Sequence, residues 1–338
     1  MTTPWLQFLE QHNVPTDAVP GLAPLTNFVA PLTDLGLIAA TGDDAATFLH
    51  NQLTNDVEHL GDTEARLAGY CSPKGRLLAT MLIWKSTDGI LLQLAHDLQP
   101  AIQKRLKMFV LRAKATLTDA NDQLVSLGLV GNAATAALTP WFPTMPAAPY
   151  AKVESDAGTL IRCLDSPAGP RYQWIAPQAV AEQAWQTLTR TLTATTPHAW
   201  RLAEIQAGVP HVTLATQEQF VPQMINFEVL GGVNFKKGCY PGQEIVARSQ
   251  YLGKLKRRMQ IACIDGFDAT PGMDVFSAND PDQPCGMIVN AEAANKNQTD
   301  CLVEIKSASL DTGAICLGSA SGPRLHFKPL PYVLIDVT

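Results

Sequence analysis

The chain has 338 residues, 46% of them hydrophobic and 17% charged, which is enough length for two or three domains and enough apolar side chain for a sizeable core. Its formal net charge of −6 excludes a general nucleic-acid or membrane-surface binder. Seven cysteines, at 71, 163, 239, 263, 285, 301 and 316, are odd in number, widely spaced and without a CxxC pair, which argues against a disulfide framework or a structural zinc site.

Unpaired thiols point to a reducing compartment, and the expectation is a cytoplasmic protein. The start, MTTPWLQFLEQHNVP, shows no cationic segment followed by an apolar run, so no signal peptide is expected. The longest apolar run, near Leu77–Trp84, is far too short to cross a membrane.

In chain order, a short helix over Trp5–Gln11 leads into a segment punctuated by Pro15, Pro20, Pro24 and Pro31. A strand is expected over Gly36–Ala40. Thr41-Gly42-Asp43-Asp44 then caps a helix over Ala45–Gln52. From Ala65 to Ala95 three strands alternate with the turns Ser72-Pro73-Lys74-Gly75 and Thr87-Asp88-Gly89. Leu98–Val110 carries Leu98, Ile102, Leu106 and Phe109 or Val110 at helical spacing, which reads as a core-facing stripe. Strands near Lys114–Thr118 and Leu124–Val130, a helix at Gly131–Leu138 and a proline-rich loop over Thr139–Tyr150 follow. Leu160–Cys163 and Arg171–Ile175 read as strands, and Ala179–Leu192 and Ala199–Ala207 as helices. After Lys256, short apolar pieces (Met259–Ile264, Met273–Phe276, Gly286–Asn290, Cys301–Ile305) alternate with loops rich in Gly, Pro, Asn and Asp. That texture predicts a small all-β domain, a barrel, beginning near Gly253.

Charge is distributed unevenly. Residues 231–260 carry Lys236, Lys237, Arg248, Lys254, Lys256, Arg257 and Arg258 against the single acid Glu244, a net of +6. A second cationic stretch, Lys104 to Lys114, includes Arg105, Lys107 and Arg112 and no acid. Both read either as solvated surface or as the lining of a pocket for an anion. No phosphate loop and no nucleophile elbow is present.

The stretch GGVNFKKGCYPGQEIVAR, Gly231 to Arg248, concentrates the chemistry. It sets one thiol, Cys239, beside two ammonium groups. Pro241 stands where a helix would begin, which would leave Cys239 just outside a positive helix N-terminus. Such surroundings favour a thiolate or a bound anion. The plain alternative is a small buried hydrophobe.

Several segments together resemble one family. KKGCYPGQE, Lys236 to Glu244, is similar to the signature K-G-C-[FY]-x-G-Q-E of the folate-binding YgfZ family, and VAR (Val246–Arg248) and Lys256-Arg257 continue the likeness. TGDDAATFLHNQLTNDV, Thr41 to Val57, resembles the family's GxDAxxFLQGQxTNDV segment, and CSPKGRLL, Cys71 to Leu78, its xPKGR turn. RLAEIQAGVP, FVPQMINFEVLGGVNF and KPLPY also fit, in the same order along nearly the whole chain. The family is similar to the aminomethyltransferase (T-protein) of the glycine cleavage system. The resemblance implies an α+β fold, a three-domain aminomethyltransferase-like ring with a C-terminal β-barrel. Residues 1–252 would form a folate-binding region of two α+β subdomains, about 52–118 forming one, and 253–338 the barrel.

The resemblance implies tetrahydrofolate or a derivative as cofactor. It implies a role in making or repairing iron–sulfur clusters, with radical tRNA-modifying enzymes among the partners and no direct nucleic-acid or membrane binding. The alternative is a tetrahydrofolate-dependent one-carbon (aminomethyl) transferase or demethylase. Cys239 would be the reactive group. Gln206, Gln223, Asn226, Lys237, Tyr240, Gln243, Glu244, Arg248, Lys74 and Arg76 would line the cofactor site.

Two departures stand out. KGRLLATMLIWK, Lys74 to Lys85, contains no acid, whereas the aminomethyltransferases carry a carboxylate beside this turn, and acid–base work needs a titratable group within reach. Where relatives carry a glutamate before Ala-Gly this chain has Gln206. An amide accepts one hydrogen bond from a pterin amino edge but sets its own NH₂ against the second donor, unless Glu204 or Glu228 substitutes.

Overall fold

A computed structural model describes residues 3–14, 25–251, 255–266, 269–311 and 313–334. Pro15, Pro20, Pro24, Lys254 and the boundary expected at Gly253 lie outside the described residues. The chain divides into two compact units. One comprises Met1–Phe48, His59–Arg66 and Leu82–Ala203, the other Leu49–Glu58, Leu67–Met81 and Glu204–Thr338.

In the first unit a six-stranded sheet runs in the order Thr193–Ala194, Phe28–Pro31, Leu124–Val130, Gly169–Pro177, Gly158–Ser166, Lys152–Ser155. Side chains on a strand alternate between faces, and each face is covered. Val29, Leu127 and Leu129 meet the helices Pro4–Gln11, Asn132–Leu138 and Gln178–Leu188 around Trp5, Leu9, Trp174 and Trp185. Phe28, Ala30 and Val130 face Trp200 and Ala203 of the helix Pro197–Gln206 on the other side. This double burial is why the strand Leu124–Val130 carries apolar residues on both faces.

A five-stranded sheet takes Ala65–Cys71, Leu77–Ser86, Gly89–Ala95, Leu35–Thr41 and Thr116–Asp119 in that order. The three-strand run expected over Ala65–Ala95 is present. The helix Gln99–Val110 buries Ile102 and Leu106, but Phe109 is 46% exposed, beside exposed Met108 and Leu111. Of the two alternatives for the end of the stripe, half-buried Val110 rather than Phe109 continues it.

In the second unit six antiparallel strands follow the order Ile315–Leu317, Asp274–Ser277, Asp280–Asn295, Gln298–Lys306, Arg257–Asp265, Leu325–Lys328. A bridge between Cys316 and Arg324 and the bond from Leu317 N–H to Pro323 O (2.8 Å) join the two edges. The sheet thus closes on itself, and no long edge is left open. Inside lie Ala262, Ile264, Val275, Ile288, Val303, Ile305, Leu317 and Leu325. The late all-β domain predicted from turn spacing is this barrel. Its short strands Ile315–Leu317 and Leu325–Lys328 carry too few residues to show a period. No described helix is long and apolar enough to cross a membrane.

Candidate functional site

The loop 231–242 lies in the second unit and is held at three places. At its start, Asn55 Nδ2 donates to Gly231 O and to Leu67 O, both at 2.7 Å. Thr54 Oγ1 donates to Gly232 O at 2.6 Å and accepts from Gly69 N–H at 2.7 Å. The Asn234 N–H reaches Thr54 O at 3.0 Å. In its middle, the Lys237 ammonium donates to His50 O (2.5 Å), Leu53 O (3.0 Å) and Gly238 O (3.3 Å) and lies 4.8 Å from the centre of the Tyr240 ring. At its end, Gly242 rests on the Ser72–Gly75 turn. A Cβ on Gly242 would stand 2.4 Å from Ser72 O and 2.6 Å from Gly75 N, and one on Gly75 would stand 2.9 Å from Ile245 Cβ. Both glycines have positive φ, +80° and +70°, so backbone shape and lack of space both require glycine there.

Between these anchors Cys239 is exposed, whereas the other six thiols are buried. The sequence left a reactive thiol and a buried hydrophobe as alternatives for Cys239, and its exposure excludes the second. The helix begins later than predicted, at Gln243. The Gly242 conformation and its contact with the Ser72–Gly75 turn occupy the residues that would have formed its first turn. Pro241 therefore precedes the helix, and the Gln243 N–H bonds Tyr240 O at 3.2 Å.

Beneath the thiol's turn sits a pair that the sequence reading did not single out. His50 is 7% exposed. Its Nδ1 lies 3.0 Å from Asp56 Oδ1 and 3.8 Å from Glu58 Oε2. Its Nε2 points at Gly238, 3.5 Å from where a Cβ would be. Burial pulls the Lys237 ammonium down to about 8, against the opposing attraction of Asp56, Cys239 and Glu58.

The remaining predicted site residues fall into three groups. Gln223 and Asn226 are fully buried and bond to main chain. Gln223 Nε2 donates to Val246 O at 2.8 Å, holding the helix Gln243–Tyr251. Asn226 donates to Met259 O at 2.9 Å and accepts from Met259 N–H at 3.3 Å, holding the first barrel strand. Tyr240 is also buried, and burial, with Cys71 nearby, raises its phenol. Gln206 is half-buried and donates to Asp300 Oδ2 at 2.9 Å. Arg76 donates to Gln219 O, and Gln243 Nε2 to Gly238 O at 3.5 Å. Lys74, Glu244 and Arg248 are exposed.

Two members of the basic cluster are neutralised from within. Arg257 grips the buried Glu304 through bonds of 2.8 and 2.6 Å. Arg258 pairs with Glu228, both nearly buried. These two are not open solvated surface, because successive residues of a strand face opposite ways and each meets a buried acid. The stretch 104–114 belongs to the first unit. Of the two acids considered as substitutes for Gln206, Glu228 is paired with Arg258, and Glu204 Oε2 lies 2.7 Å from His211 Nε2. Among the described residues no three His, Cys, Asp or Glu side chains gather as metal ligands do.

No family model matches the chain, but curated relatives do. It is 34% identical over 316 residues to the tRNA-modifying protein YgfZ of Klebsiella pneumoniae (strain 342), covering 93% of this chain and 94% of that one. The chain belongs to the YgfZ family. It is also 30% identical over 315 residues to the tRNA-modifying protein YgfZ of Cronobacter sakazakii, covering 92% and 94%. Among solved structures it resembles the glycine cleavage system aminomethyltransferase T of Bartonella henselae, with a TM-score of 0.78, 15% identity and 98% of both chains covered. At that identity the likeness shows the fold, which is the aminomethyltransferase-like α+β fold expected. The three family segments, TNDV, SPKG and KKGCYPGQE, are the pieces that meet around Cys239 in this YgfZ family chain.

Proposed function

We propose that this chain is a tetrahydrofolate-binding accessory protein that supports iron–sulfur cluster synthesis or repair in enzymes that modify tRNA, with Cys239 as its reactive group. The observation that carries this reading is the construction around Cys239: three sequence segments hold one loop so that its single thiol is presented to solvent. A packing cysteine needs no such framework. The relatives' names as tRNA-modifying proteins give the direction of the function, and the free thiols suit the cytoplasm.

A folate would find suitable partners. Among the described residues, Gln223 Oε1 and Glu228 Oε2 are buried acceptors without a donor. Arg258 joins the two residues through other atoms, donating to the Gln223 main-chain O at 3.2 Å and to Glu228 Oε1. A heterocycle with amino and ring N–H groups satisfies such acceptors, and leaving them unmet costs about 1–3 kcal/mol each. Gln206 has its NH₂ committed to Asp300, so its carbonyl oxygen is the atom left to accept from a ligand, and the amide's donor no longer opposes one. Exposed Lys74 and Arg248 suit the carboxylates of a folate tail.

Calorimetry tests the cofactor. Wild type takes up tetrahydrofolate, and Gln206→Glu, which sets a carboxylate against Asp300, weakens the binding. Wild type giving no binding heat at about 1 mM ligand, the weak limit of specific affinity, removes folate from the account. Cellular complementation tests the role. In cells lacking the protein, methylthiolated tRNA falls, wild type restores it and Cys239→Ser does not. Full rescue by Cys239→Ser removes the thiol.

A further inference from the structure

We propose that the exposed end of the helix Gln99–Val110, with the turn after it, is a docking face for an acidic protein partner. Met108, Phe109 and Leu111 enter an apolar cleft on that partner, and Lys104, Lys107 and Arg112 meet carboxylates around its rim. All six residues lie in the first unit, and the inference needs neither the Cys239 thiol nor a folate.

The first observation is exposure. Met108 is 59% exposed and Leu111 86%, with Phe109 between them in the chain and also exposed. Residues three and four apart are neighbours on a helix, so Lys104 and Arg105 stand beside Met108, while Leu111 and Arg112 follow directly after the helix. The Arg105 guanidinium lies over the Phe109 ring, 6.0 Å from its centre. Past the helix end, the Ala113 N–H bonds Val110 O at 2.8 Å and closes a turn. Within that turn Leu111 has φ +47° and ψ −102°, a backbone conformation that side chains other than glycine's rarely adopt. Glycine would meet an exposed turn of this shape without strain. A leucine held there faces solvent at a local cost, and such strain recurs where a chain grips a ligand.

The second observation is charge. From Gln99 to Thr118 the chain carries five cations and no acid. Lys114 is answered within the chain, its Nζ 3.6 Å from Asp43 Oδ2 and its N–H donating to Asp44 Oδ2 at 2.7 Å. Among the described residues Lys104, Arg105, Lys107 and Arg112 form no ion pair. Complementarity therefore asks for an anionic occupant, and the side chains choose between kinds. RNA offers phosphates and base faces, which leave the aliphatic Met108 and Leu111 without a partner. An anionic bilayer would accept these side chains but repel a molecule of net charge −6. Phenylalanine, methionine and arginine are the residues enriched at protein interfaces, and the flexible thioether of methionine adapts to partners of different shape. The occupant is a protein whose apolar cleft is rimmed by Asp and Glu.

Photocrosslinking of the full chain, in the cells to which it is native, tests the proposal. The probe is p-benzoylphenylalanine in place of Phe109, with the same group in place of exposed Gln186 on the helix Gln178–Leu188 as control. The expected result is an adduct, at 109 and not at 186, with protein of acidic composition. Lys104→Glu combined with Lys107→Glu should cut that adduct by at least about tenfold, because like charges facing each other across an interface repel. Leu111→Ser should cut it by a similar factor, about tenfold, by removing the apolar anchor. Lys104→Arg combined with Lys107→Arg keeps the charge and should keep the adduct. All three positions are exposed, and urea midpoints matching wild type exclude misfolding as the cause. Adducts with RNA or lipid alone overturn the proposal. So does an adduct that charge reversal leaves unchanged, or none above the control. Wild-type rescue of methylthiolated tRNA tests the function proposed above by a separate readout, so either can fail while the other stands.

Discussion

Gly242 and Gly231 both have positive φ, +80° and +79°, yet their surroundings differ. A Cβ on Gly231 meets nothing within 4 Å, whereas one on Gly242 meets the Ser72–Gly75 backbone at 2.4–2.7 Å. The left-handed conformation alone costs a non-glycine residue about 1–2 kcal/mol. Gly231→Ala should therefore lower stability by about 1 kcal/mol and leave Cys239 reactivity unchanged. Gly242→Ala must also displace main chain, for a total of about 3 kcal/mol, and should disturb thiol alkylation. Urea unfolding of both variants reads the difference, and similar losses would show that the Gly242–Gly75 contact is not tight. The glycines, the thiol and the turn chemistry are all visible in the sequence. That Gly242 meets Gly75, 167 positions earlier, is not, because turn propensity reports local φ preference and carries no record of what the turn touches. The proximity of His50 to Gly238 escaped notice for the same reason.

At the scale of elements, the loop 231–242 has no helix or strand of its own, and its order is borrowed from Thr54 and Asn55. Asn55 spends both amide hydrogens on two carbonyls, Leu67 O and Gly231 O. Asn55→Ala leaves these acceptors unmet at a cost of about 1–3 kcal/mol. It should raise amide hydrogen exchange across residues 231–242 well above its effect on the barrel strand Arg257–Asp265. Equal protection in both would show that the loop is held by its other anchors alone. Long or strongly patterned elements were legible in advance: the strand Leu124–Val130 is as predicted and the helix Gln99–Val110 differs by a residue. The helix Gln243–Tyr251 began late because tertiary contact at Gly242 overrode the proline signal. Spacing left Phe109 and Val110 as alternatives for the end of the stripe in Gln99–Val110, and the structure half-buries Val110 and exposes Phe109.

At the scale of the whole molecule, net charge −6 conceals buried ionisable groups that bias stability against pH in opposite directions. Burial raises the Glu228 and Glu304 carboxyls above the ordinary range, although each meets an arginine. Their folded forms bind protons more readily than the unfolded chain, so above about pH 4.5 their contribution falls as pH rises through their raised values. Lys237 behaves in the opposite sense. Its folded value of about 8 lies below the unfolded one of 10.5, so the unfolded chain holds the extra proton between these limits and stability rises with pH across them. The carboxyl effect is isolated by Glu228→Gln, which keeps the shape of the side chain and stays neutral. The variant loses stability overall, because Arg258 is left buried with a weaker partner. Its deficit relative to wild type should shrink as pH rises from 5 towards 8, since only wild type gives up a carboxyl proton to remain folded. Urea midpoints of both proteins across that range decide the matter. A deficit that widens with pH would mean that attraction to Arg258 outweighs burial and that Glu228 is held as a carboxylate, in which case its orphan Oε2 would be a charged acceptor for any ligand at this site.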